Sequence, residues 1–98
     1  MTSRSDIFDL LEQHRNEIKG FGVREIGVFG SFVRDEQRPD SDVDILVEME
    51  GRSYREYFAV LDFLEELFGR KVDLVPKEDI KPLLRNRILR EVIYVPNL

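Results

Sequence analysis

Two aspartates one residue apart, in Asp42-Val43-Asp44, open the apolar, β-prone run Ile45-Leu46-Val47, and ten residues separate them from an upstream Gly30-Ser31 pair. Residues i and i+2 of a strand project from the same face, so the two carboxylates stand side by side. Unit charges about 4 Å apart repel by roughly 1 kcal/mol in water and by about 4 kcal/mol at an effective dielectric near 20. A divalent cation removes that cost. Oxygen-only ligands suit a hard ion, Mg²⁺ or alternatively Mn²⁺, which in phosphoryl chemistry is shared with the phosphates of the substrate. An isolated Asp-x-Asp more often marks a solvated strand start, so the weight of this pair comes from its neighbours.

The first neighbour is Gly30-Ser31. The run Ile26-Gly27-Val28-Phe29 reads as a strand and stops at a residue without a side chain, where a ligand can approach the backbone closely. From Ser31 to Asp35 there is room for a little more than one helical turn, whose free N–H groups and positive dipole end favour an anion. The second neighbour is Asp73, in the short strand Lys71-Val72-Asp73-Leu74-Val75 that Pro76 ends. Alone it reads equally as a solvent-facing acid. Set at the same sheet edge as Asp42 and Asp44, it becomes a third metal ligand that also helps to deprotonate an acceptor hydroxyl.

That convergence depends on the elements in between. A helix over Tyr54–Phe68, capped by Ser53 and stopped at Gly69, carries Tyr57, Val60, Leu61, Leu64 and Phe68 at helical spacing. Strand, helix and strand in succession make a right-handed crossover, so the Asp73 strand is expected parallel to the Asp44 strand. The first strand ends where the second begins, so that pair is expected antiparallel. The linker 36–41, with Pro39, is expected to be mobile and to rim the site.

The flanking segments read as scaffold. Ser3 or Ser5 caps a first helix with the stripe Ile7, Leu10, Leu11, His14 and Ile18, ended by Gly20; His14, the only histidine, has no partner motif. A last helix is expected over Glu78–Tyr94, with Pro82 in its first turns and the stripe Ile80, Leu83, Leu84, Ile88 and Val92. Its other face carries Lys77, Lys81, Arg85, Arg87 and Arg90, a solvated face or a contact for triphosphate or for an acidic partner.

With 98 residues, 42% hydrophobic and 36% charged, the chain reads as one globular domain over 1–98 with no room for a separate substrate domain. No stretch approaches the roughly 20 apolar residues of a membrane span. The start, Met1 to Asp6, lacks the basic and apolar regions of a signal peptide, so a cytoplasmic location is expected. The absence of cysteine excludes thiolate metal sites and nucleophiles. A net charge of −5 argues against a large nucleic-acid footprint.

Gly30-Ser31, the spacing to Asp42-x-Asp44 and the later Asp73 together resemble the signature of the DNA polymerase β superfamily of nucleotidyltransferases. The nearest form is the minimal nucleotidyltransferase, or MNT, group, which the stretches 69–75 (GRKVDLV) and 84–95 (LRNRILREVIYV) also resemble. The resemblance implies an α/β polymerase-β-like fold, a mixed three-stranded sheet packed with about four helices. It further implies a protein adenylyltransferase that silences a partner HEPN-domain toxin by moving AMP from ATP to a toxin tyrosine. In that scheme Gly30 and Ser31 hold the triphosphate, Asp42 and Asp44 bind two Mg²⁺ ions, Asp73 completes the metal site, and Arg34 meets a phosphate. Asp35 stands where these proteins frequently have glycine. Two other functions stay open, an antitoxin that neutralises by binding alone and a small-molecule nucleotidyltransferase. A homo-oligomer and a hetero-oligomer with the toxin also stay open.

Overall fold

A computed structural model describes residues 3–51, 53–96 and 98; Met1 and Thr2, the start of the segment read for a targeting signal, lie outside them. In chain order the elements are α1 (Arg4–Gln13), α2 (Arg15–Gly20), β1 (Val23–Phe29), α3 (Ser31–Arg34), β2 (Val43–Met49), α4 (Tyr54–Phe68) and β3 (Val72–Pro76). A 3-10 turn (Lys77–Asp79), α5 (Pro82–Glu91) and β4 (Ile93–Tyr94) complete the chain. The sheet order is β3-β2-β1-β4. As the connections require, β2 runs antiparallel to β1 and parallel to β3.

Strand alternation assigns each face of this sheet. Val43, Ile45 and Val47 of β2 join Ile26 and Val28 of β1 and Val72 and Leu74 of β3 on one face. There they pack against Ile7 and Leu11 of α1, Ile18 of α2 and Val60, Leu64 and Phe68 of α4. The opposite face holds Phe29, Leu46, Ile80 and Ile88, a smaller cluster under α5. Asp44 and Asp73 share the parity of Leu46 and Val75, so they belong to this second, partly covered face.

Three expectations are corrected. The first helix is two helices, because the chain leaves helical geometry at His14 (φ −107°, ψ 19°), whose ring Nδ1 lies 2.9 Å from the Leu10 carbonyl. Ser3 is its cap, in a reciprocal pair with Asp6. Next, the segment after β3 is not one helix. Lys81 precedes a proline and is extended (φ −61°, ψ 135°), so α5 begins only at Pro82, the position that needs no N–H. Of the stripe assigned to it, Ile80 and Ile88 are buried, whereas Leu83 is 97% exposed. Finally, the sheet among the described residues has four strands rather than three, with five α-helices rather than about four.

The added strand is β4. After α5 the chain extends at Val92, and Ile93 and Tyr94 pair antiparallel with Val28 and Gly27 of β1. Gly27 makes that docking possible. A Cβ there would lie 2.7 Å from Val92 Cγ2 and 3.1 Å from the Ile93 carbonyl, closer than packed atoms tolerate. Among the described residues no helix is long and apolar enough to cross a membrane.

Candidate active site

The end of β1 and the start of β2 meet at Phe29 and Asp44, which are partners in the antiparallel register. Immediately after Phe29 the chain turns at Gly30 with φ 77° and ψ −152°, a conformation open essentially to glycine alone. A side chain is excluded there twice over, because a Cβ on Gly30 would collide with the Asp44 carboxylate, 2.9 Å from its Cγ. The Asp44 carboxylate therefore lies in the space that a side chain on Gly30 would fill.

Across the sheet Asp44 faces Asp73 in the parallel register, with Val43 opposite Val72. Asp42 lies just outside the strand on the same parity. Asp42 and Asp73 are exposed and Asp44 is half-buried. Burial first, and then the charges of Asp73 and Asp42, push the Asp44 carboxyl up to about 6, with Arg34 pulling the other way. The edge thus concentrates negative charge that Arg34 offsets only in part. It is also an open edge: among the described residues no three histidine, cysteine, aspartate or glutamate side chains close round a single point as a ready-made cage. Mg²⁺ does not need one, since it is ordinarily held by one or two carboxylates and completed by water and substrate phosphates.

Ser31 opens α3 beside this edge, and Arg34 closes it. Arg34 does not stand free. Its Nε donates to Glu36 at 2.8 Å and its Nη1 donates to Glu91 at 2.8 Å, and these two partners raise the guanidinium's proton affinity further. Asp35 follows in the left-handed region (φ 58°, ψ 35°), the sole non-glycine residue with positive φ among those described. In the linker 36–41 the carbonyls of Pro39 and Ser41 each accept from Arg70 Nη1 at 3.0 Å.

Sequence reasoning missed Glu91. Its Oε2 accepts from the Gly30 N–H at 2.9 Å while its Oε1 takes Arg34, so it reaches both ends of the turn from the end of α5. One signal was present. An acidic residue in the last turn of a helix opposes the helix dipole and implies a partner outside that helix.

Residues 11–95 match the family described as Nucleotidyltransferase domain. The chain belongs to that family. Among its relatives, the protein adenylyltransferase MntA of Thermococcus cleftensis is 46% identical over 97 residues, which cover 97% of this chain and 98% of the relative. A chain of solved structure described provisionally as a minimal nucleotidyltransferase is 36% identical, with a TM-score of 0.71 over 88% of this chain and 93% of its own. A chain from the complex of tri-AMPylated Shewanella oneidensis HEPN toxin with MNT antitoxin has a TM-score of 0.64 over 90% of this chain and 71% of its own. At 17% identity it shows a shared fold. The protein is a minimal nucleotidyltransferase of α/β, polymerase-β-like fold. In this nucleotidyltransferase a concavity of about 420 Å³, lined by Met49, Tyr54, Tyr57, Phe58 and Pro76, lies at the other end of β2 and β3 from the carboxylates.

Proposed function

We propose that this nucleotidyltransferase is a protein adenylyltransferase antitoxin, transferring AMP from ATP to a tyrosine hydroxyl of a HEPN-domain toxin. The near-full-length likeness to a protein named adenylyltransferase MntA supports the reaction, and the fold shared with an MNT antitoxin chain supports the partner. The observation that carries the chemistry is Asp44 set in register with Asp73 and pressed against Gly30, with a carboxyl that resists ionising alone.

Asp42, Asp44 and Asp73 are the residues that would hold Mg²⁺ or Mn²⁺, two ions in the full assembly. Such ions, when bound, neutralise phosphate charge and acidify the acceptor hydroxyl. The chain's own residues do the rest. Gly30 and Ser31 hold the triphosphate at the turn, Ser31 with its hydroxyl, and Arg34 adds a cation beside it. Asp73, exposed at the edge, orients the acceptor and takes its proton. The tyrosine oxygen bonds to the α-phosphorus, the bond from that phosphorus to the bridging oxygen breaks, and pyrophosphate leaves in line. All 98 residues serve this one catalytic domain, which acts in the cytoplasm with its toxin.

Co-expression with the toxin tests this reading. The Asp42→Asn, Asp44→Asn variant is expected to bind the toxin and fail to silence it. Full silencing by that variant, with an unmodified toxin, would instead establish neutralisation by binding.

A further inference from the structure

Glu91 is the last residue of α5, where its charge faces the negative end of the helix dipole, and its side chain is only 17% exposed. An acid so placed is held by what it binds. Its two oxygens are divided between the Gly30 N–H and the Arg34 guanidinium, at 2.9 and 2.8 Å. Gly30 begins the turn and Arg34 ends it, so one carboxylate spans α3 from N-cap to last residue. The bond to Gly30 sets the plane of the peptide entering the turn. The bond to Arg34 joins the bond from Glu36 in fixing a guanidinium at the end of a long, flexible side chain.

We propose that Glu91 is a positioning residue for nucleotide binding: it fixes the Gly30 peptide and holds the Arg34 guanidinium beside the carboxylate edge, making α5 and β4 part of the active site. This rests on Gly30, Ser31 and Arg34 receiving the triphosphate. Glu91 itself touches no substrate. It acts by removing freedom from two groups that would otherwise have to be ordered when ATP arrives. The docking of β4 on Gly27 follows directly after Glu91 in the chain and keeps the end of α5 over the turn.

The test compares wild type, Glu91→Gln and Glu91→Ala in the full chain. Three readouts are taken: the dissociation constant for Mg²⁺-ATP by calorimetry without acceptor, KM and kcat with acceptor, and the Gly30 amide resonance. Glu91→Ala should weaken Mg²⁺-ATP at least 10-fold, raise KM for ATP more than it lowers kcat, and move the Gly30 amide upfield. Glu91→Gln keeps an oxygen for Gly30 and loses one of the two charges that hold Arg34, Glu36 supplying the other, so it should fold with a near wild-type Tm and lose a few-fold in affinity. Wild-type affinity in both variants overturns the proposal and leaves the adenylyltransferase reading standing. Tighter binding also overturns it, by showing that Glu91 blocks the turn. If wild type itself binds no nucleotide, both fall, and the Gly30 resonance then reports only a structural bond.

Discussion

Asp44 and Asp73 stand opposite one another in the parallel register of β2 and β3, and Asp44 is the one that is half-buried, with its carboxyl pushed up to about 6. The direction has a consequence for stability. A carboxyl whose folded value exceeds its unfolded value of 3.8 favours the folded state fully below about pH 4, and that contribution is lost as pH rises through about 6. The Asp44→Asn variant has no such charge to bury. Without added metal, its Tm should exceed that of wild type at pH 7 to 8, and the difference should shrink towards pH 4. A difference independent of pH would mean that Asp44 is ionised in the fold without penalty.

Metal binding should follow the same carboxyl with the opposite sign. A cation requires the ionised form, so its uptake releases the proton held below about 6. Thermal shift with Mn²⁺ should therefore be larger at pH 7.5 than at pH 5, and the Asp42→Asn, Asp44→Asn variant should show none. An equal shift in that variant would move the cation elsewhere.

Asp35 adopts φ 58° with a side chain, in a region that costs an L-residue about 1 to 2 kcal/mol and costs glycine nothing. Asp35→Gly should raise stability by up to about 1 kcal/mol once the added freedom of the unfolded chain is subtracted. Denaturant titration reads this directly. A loss instead would show that the Asp35 side chain contributes a contact that offsets its strain.

Much of this arrangement was legible in the residues. The period of two in Asp42-Val43-Asp44, the glycine after an apolar strand and the helix between β2 and β3 fixed which residues share an edge, because strand parity and crossover geometry leave few alternatives. What escaped was decided at long range. Two residues, Ile93 and Tyr94, carry no periodicity of their own, and they become a strand only because Gly27 leaves space on β1. The stripe through Val92 fitted a continuing helix equally well. Arg34 was read with a phosphate as its partner; that its guanidinium already meets Glu36 and Glu91 depends on a residue 57 positions away. His14 breaks the first helix without a glycine or proline to announce it.

Gly27 is accordingly a sensitive position. Gly27→Ala puts a methyl within 2.7 Å of Val92 Cγ2 and 3.0 Å of Tyr94 Cδ1. Overpacking of this kind costs typically about 1–3 kcal/mol, and Gly27→Val should cost more. Hydrogen exchange should show faster exchange in β4 than in β2. Unchanged protection of β4 in Gly27→Val would mean that its pairing does not depend on the missing side chain.

The central claim is that the Asp42, Asp44 and Asp73 edge transfers a nucleotide to a protein. Its most direct test is intact-mass measurement of the HEPN-domain partner after incubation with this protein, Mg²⁺ and ATP. The account predicts a gain of one or more AMP units on the partner, mapped to tyrosine and abolished by Asp42→Asn, Asp44→Asn. A stable complex in which neither protein gains mass, with ATP or any other nucleotide, would contradict it.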